Sequence, residues 1–119
     1  MRKATVMVVD DEHTIADTLA IILNGAGFLA SAVYSGMEAF EMAKVRRPDL
    51  VISDVMMPDL NGIDAMIMIR GILPSCKILL FSGQAGTVDL LKDARARGYD
   101  FEILAKPVHP KDLIARLAA

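Results

Sequence analysis

Apolar and polar positions fall into five successive units along the chain, each a short run of mostly apolar residues followed by apolar residues at helical spacing. The runs are Thr5–Val9 (TVMVV), Leu29–Val33, Leu50–Ser53, Lys77–Phe81 (KILLF) and Phe101–Ala105. They begin 24, 21, 27 and 24 residues apart, about the length of one strand, one crossover helix and two loops. Runs such as VMVV and ILLF do not alternate, as strands covered on both faces should not. The pattern predicts an α/β fold: a five-stranded parallel sheet with helices on both faces.

The helical stretches carry their own start and stop signals. Ile15, Leu19, Ile22, Leu23 and Ala26 recur on one helical face, and Asn24-Gly25 is expected to end that helix. Ser35-Gly36-Met37-Glu38 has the form of a capping box, opening a helix that ends before Pro48. Asn61-Gly62-Ile63-Asp64 opens the third helix, which runs out at Gly71 to Pro74, with Gly62 serving a tight turn. The fourth spans Val88–Arg97 with Gly98 as its terminator, and His109-Pro110 opens the fifth.

Composition narrows the class. A length of 119 residues suits one domain, 1–119, and an apolar content of 54% suits an ordinary core rather than disorder. The 13 basic and 15 acidic residues give a net charge of −2 with the basic ones scattered, which argues against direct nucleic-acid binding by bulk charge. No apolar run exceeds 5 residues, against about 20 for a membrane span. The single cysteine, Cys76, permits no internal disulfide and suits a reducing cytoplasm, where it is expected to be an inert, partly buried thiol. His13 and His109, each near a helix start, are expected to cap or to face solvent. The eight methionines are better explained by adaptable packing than by a recognition groove.

Placed on this frame, the polar residues collect at one edge. Asp10 and Asp11 end strand 1, Ser53-Asp54 ends strand 3, Ser82 follows strand 4 and Lys106 follows strand 5. The carboxyl edge of an open parallel sheet is where ligands bind, at the point where the strand order reverses. In the order 2-1-3-4-5 that point lies between strands 1 and 3 and brings Asp10, Asp11 and Asp54 together. Three carboxylates in one pocket repel, and a divalent cation relieves the repulsion. Oxygen donors without His or Cys select Mg²⁺ over zinc. Lys106 and Ser82 suit the oxygens of a phosphoryl group. Any one acid at a strand end is ordinarily a solvated loop residue or a helix cap; the coincidence of five polar residues at one edge is what points to chemistry.

The segments VMVVDDE, ISDVMMPDLNGID, LLFSG and the lysine-proline of ILAKP resemble, in order and spacing, the receiver domain of two-component response regulators. The resemblance covers essentially the whole chain. It implies a flavodoxin-like (βα)5 fold and a signalling protein that accepts a phosphoryl group on Asp54 from a histidine kinase or histidine phosphotransfer protein. It further implies that Asp11, Asp54 and the backbone carbonyl of Met56 ligate Mg²⁺, with Asp10 acting through water. Ser82 and Lys106 contact the phosphoryl oxygens, Gly83 leaves room for phosphate and water, and Pro107 follows a cis peptide. The domain is then no enzyme in the usual sense, catalysing only its own phosphorylation and dephosphorylation. The reporting surface is helix 4, strand 5 and helix 5, with dimerisation through it left open.

Two departures and two rivals accompany that reading. Ile103 stands where receivers usually carry Tyr or Phe, Phe101 lies two residues earlier on the same strand face, and the segment before it is one residue longer than usual. The expectation is that the signal passes through Ser82 and the loop after strand 4 rather than through an aromatic flip. The length leaves nothing for an output domain, so the chain is either a stand-alone regulator or a receiver from a longer protein with an unknown effector. The rivals are a phosphorylation-independent scaffold, which needs none of Asp10, Asp11, Asp54, Ser82 and Lys106, and a small aspartate-nucleophile phosphohydrolase. The latter usually carries Asp-x-Asp after strand 1, whereas Asp10 and Asp11 are adjacent.

Overall fold

In the computed structural model, which describes residues 3–55, 57, 62–83, 87–105 and 109–118, five strands and five helices alternate along the chain. They are β1 (Thr5–Val9), α1 (His13–Gly25), β2 (Leu29–Val33), α2 (Gly36–Arg46), β3 (Leu50–Asp54), α3 (Gly62–Ile72), β4 (Lys77–Ser82), α4 (Thr87–Ala96), β5 (Glu102–Ala105) and α5 (Pro110–Ala118). All neighbouring strands pair parallel in the order β2-β1-β3-β4-β5. The order reverses between β1 and β3, as the sequence predicts.

Side chains that alternate along a strand feed two separate cores, one on each face of the sheet. Val6, Val8, Leu50, Ile52, Leu79 and Phe81 pack against α1 and α5 through Ala16, Leu19, Leu23 and Leu113. Met7, Val9, Val51, Ile78 and Leu80 pack against α2, α3 and α4 through Ala39, Ala43, Ile63, Met66, Ile69 and Ala94. Both faces being covered is why β1, β3 and β4 read as continuous apolar runs.

Local signals act mostly as expected. The Ser35 hydroxyl accepts the Glu38 N–H at 3.1 Å, forming the cap predicted for α2. Arg47 ends that helix with a left-handed φ of 47° immediately before Pro48. Gly98 follows α4 with φ 93°, and its N–H reaches the Arg95 carbonyl at 3.0 Å. His109 caps α5, its Nδ1 accepting the Lys111 N–H at 3.2 Å.

Asn24-Gly25 ends α1 as expected: the helix stops at Gly25, and the chain turns at Gly27 with φ 101°. Asn24 also uses its carboxamide on the outer edge of β2, accepting the Ala30 N–H at 2.8 Å and donating to the Ala30 carbonyl at 3.0 Å. The strand ends are corrected. Strands β3 and β4 each run one residue further, because Asp54 pairs in register with Phe81 and Ser82 with Ala105; β5 starts at Glu102, one residue later than read.

Candidate functional site

The carboxyl edges of β1 and β3 meet where the strand order reverses. Asp10 leaves β1 with its N–H donating to the Val33 carbonyl at 3.0 Å, which ties it to the end of β2. The residue is 1% exposed, and its Oδ1 accepts the Glu12 N–H at 3.0 Å, turning the chain into α1. Asp54 ends β3, one residue past the Val9–Ser53 pair. Its Oδ1 accepts the Val55 N–H at 3.0 Å, and the buried Ser53 hydroxyl donates to its carbonyl at 2.9 Å.

Asp10, Asp11 and Asp54 come together as the sequence predicts, each with a carboxylate oxygen within 4.8 Å of the others. At that separation two ionised carboxylates repel by roughly 3 kcal/mol at an effective dielectric of about 20. The donor set is three hard oxygens with no imidazole or thiolate, which fits Mg²⁺ rather than a softer metal. Two oxygens on one Mg²⁺ lie at most about 4.2 Å apart, so small side-chain adjustments would let these groups share an ion.

The remaining expected residues divide by position. Ser82, half-buried, ends β4 beside β3, and Gly83 follows it exposed. Met56, Lys106 and Pro107 lie outside the described residues; Ala105, next to Lys106 in sequence, pairs with Ser82. Ile103 is partly buried against the α2–α3–α4 core. Phe101 is buried against the same core, stacked on Tyr99 with ring centres 6.1 Å apart, and the Arg70 guanidinium lies 5.5 Å from its ring.

Two features beside the cluster were not legible in the chain. His13 is exposed, as expected, but its ring also stacks on Tyr34 at 3.8 Å, and the Tyr34 hydroxyl donates to Asp17 at 2.6 Å. That hydrogen bond, with lesser help from burial and from the charges of Asp17 and Glu38, raises the tyrosine above its ordinary pKa. Gly62 opens α3 directly against the backbone of Asp54, a closer approach than a turn requires. The available signal was a glycine, a poor helix former, at the very start of a helical pattern.

Comparison with known proteins settles the family. Residues 6–118 match the family described as response regulator receiver domain. The chain belongs to that family. It is 34% identical over 114 residues to the DNA-binding response regulator MtrA of Mycobacterium tuberculosis, covering 96% of this chain and 49% of that protein. It is 31% identical over 117 residues to the transcriptional regulatory protein CreB of Escherichia coli, covering 98% and 50%. The chain therefore spans about half the length of these curated relatives. Among solved structures it is similar to the Vibrio cholerae chemotaxis protein CheY4, with a TM-score of 0.87, 28% identity and 98% of both chains covered. A receiver domain from Clostridium thermocellum superposes with a TM-score of 0.85 at 31% identity, covering 97% of this chain and 91% of that one. Receiver domains are signalling domains that work with histidine kinases and output domains, and they bind Mg²⁺ through acidic residues. Among the described residues no helix is long and apolar enough to cross a membrane.

Proposed function

We propose that Asp54 is the phosphoacceptor of this receiver, taking a phosphoryl group from a phosphohistidine of a kinase or phosphotransfer protein. The observation that carries the reading is the gathering of Asp10, Asp11 and Asp54 within 4.8 Å at the strand-order reversal. In the transfer an Asp54 carboxylate oxygen forms a bond to phosphorus while the phosphorus–nitrogen bond breaks, and the departing imidazole takes up a proton. The Val55 N–H on Oδ1 fixes the plane of the attacking carboxylate. Asp11, Asp54 and the Met56 carbonyl would hold Mg²⁺, with Asp10 acting through water. When bound, the ion neutralises charge that develops on the phosphoryl oxygens. Ser82 and Lys106 would contact those oxygens, Gly83 would leave room for them, and Pro107 would shape the loop that carries Lys106. Loss of the group to water completes the cycle, so the only catalysis is on the domain itself.

Phosphorylation biases an equilibrium between two conformations of α4, β5 and α5, drawing Ser82 toward the phosphoryl group. Ile103 and the packing of Phe101 between Tyr99 and Arg70 support a route through Ser82 and its loop rather than an aromatic flip. A phosphorylated structure with Phe101 or Tyr99 swung inward would contradict this route. The α4–β5–α5 surface would meet an effector, an output domain or a second copy; relatives named as DNA-binding regulators make a linked DNA-binding module the natural output. The domain, residues 1–119, would work in a reducing cytoplasm.

Incubation with acetyl phosphate and Mg²⁺, followed by intact-mass measurement, tests the assignment. One added phosphoryl group, absent from Asp54→Asn and absent without Mg²⁺, is the expected outcome. No adduct with any donor favours a scaffold, and steady turnover of unrelated phosphoesters favours a hydrolase.

A further inference from the structure

We propose that Gly62 is a positioning residue for Asp54: the missing side chain at the first residue of α3 lets that helix seat on the phosphoacceptor's own backbone and set where its carboxylate stands. The inference rests on Asp54 being the phosphoacceptor. A Cβ added at Gly62 would overlap the Asp54 carbonyl oxygen and come within 3.0 Å of the Asp54 carbonyl carbon and the Val55 Cα. All three obstacles are backbone atoms, so no rotamer change relieves them. The seat is also bonded, since the Gly62 N–H donates to the Val55 carbonyl at 2.6 Å. Val55 in turn holds β4 through its N–H to the Phe81 carbonyl at 3.2 Å, and that same N–H holds Asp54 Oδ1 at 3.0 Å.

The helix start, the Asp54 backbone and the Asp54 carboxylate are thereby one connected unit. The glycine is required here for its lack of volume, not for an unusual φ, since positive φ among the described glycines occurs at Gly27 and Gly98. Room for a methyl group would need a shift on the order of 1 Å, a displacement that can cost on the order of 100-fold in rate when it reaches a reacting group. Gly71, on the same helix, supplies the comparison, because a Cβ there meets nothing within 4 Å.

The test compares wild type, Gly62→Ala and Gly71→Ala. Mg²⁺ affinity is measured by calorimetry, and the rate of phosphorylation by acetyl phosphate is measured at saturating Mg²⁺ on chains shown to be folded. Gly62→Ala is expected to phosphorylate roughly 10–100-fold more slowly, with weaker Mg²⁺ binding, while Gly71→Ala matches wild type. A folded Gly62→Ala that matches wild type in both readouts overturns the proposal, because a merely structural glycine would change stability alone. Should Gly62→Ala not fold, the wild-type amide spectrum decides: phosphorylation should move the Gly62 resonance well beyond that of Gly71, and an unmoved Gly62 overturns the proposal. A wild-type chain that takes no phosphoryl group overturns the assignment of Asp54 itself, and this inference with it.

Discussion

Asp54 owes its orientation to its immediate neighbours: Val55 N–H on one carboxylate oxygen, the Ser53 hydroxyl on its carbonyl, and Gly62 against its backbone. Asp11 contributes chiefly charge. Asp11→Asn removes one of three crowded negative charges, so it should weaken Mg²⁺ binding at least about 10-fold. The same change should stabilise the metal-free chain by on the order of 1 kcal/mol, less than the bare pair repulsion because Asp11 is partly exposed and water screens its charge. Calorimetric titration and thermal unfolding with and without Mg²⁺ check both signs. Cys76 shows burial acting on a titratable group. Desolvation, offset in part by Arg70 and reinforced by Asp49, pushes its thiol up to about 11 from an ordinary 9.0. Below about pH 9 the thiol is neutral whether folded or unfolded. Between about 9 and 11 only the unfolded chain ionises, so stability is lost as pH rises through that window. Between about pH 8 and about pH 10.5 wild type should lose about 2 kcal/mol more than Cys76→Ala in urea unfolding. Equal losses would show that the thiol is not shielded.

At the scale of elements, Asn24 guards an edge. β2 is the outer strand, and an edge strand offers unpaired backbone groups to other chains. The Asn24 carboxamide occupies both outward groups of Ala30 as a neighbouring strand would. Asn24→Ala should lower stability by about 1 kcal/mol and raise self-association at high concentration, read by sedimentation; self-association equal to that of wild type would remove the edge-guarding role. The Asn24-Gly25 stop, the Ser35 cap and the Gly98 terminator are local signals, and all three were legible. The hydrogen bonds from Asn24 to Ala30, six residues later, were not, because no local pattern reports them. Asp10, Asp11 and Asp54 were legible because strand ends in a parallel sheet share an edge, so placing the strands placed the carboxylates. Gly62 was not, because its constraint is a contact between two backbones that only the folded chain brings together.

Across the whole molecule, packing is uneven in a way that matches the proposed signalling. α3 buries Gly62, Ile63, Ala65, Met66 and Ile69, whereas Ala94 is the buried residue of α4 among its described side chains. Exposed ion pairs such as Arg97–Asp64 at 3.4 Å and Arg116–Glu102 at 3.2 Å add little to holding α4 and α5. Local opening should therefore be easier in α4 than in α3. Amide hydrogen exchange is expected to be faster in α4 than in α3, and the reverse order would contradict a mobile reporting face. The two cores, one on each face of the sheet, bury the strands that carry the carboxylate edge. The central claim is that this edge directs a phosphoryl group to Asp54. Peptide-level mass spectrometry after reaction with acetyl phosphate tests it most directly. The account predicts one Mg²⁺-dependent phosphoryl group per chain, located on Asp54 and released by hydroxylamine as an acyl phosphate; a group on any other residue, or one formed equally well without Mg²⁺, would contradict it.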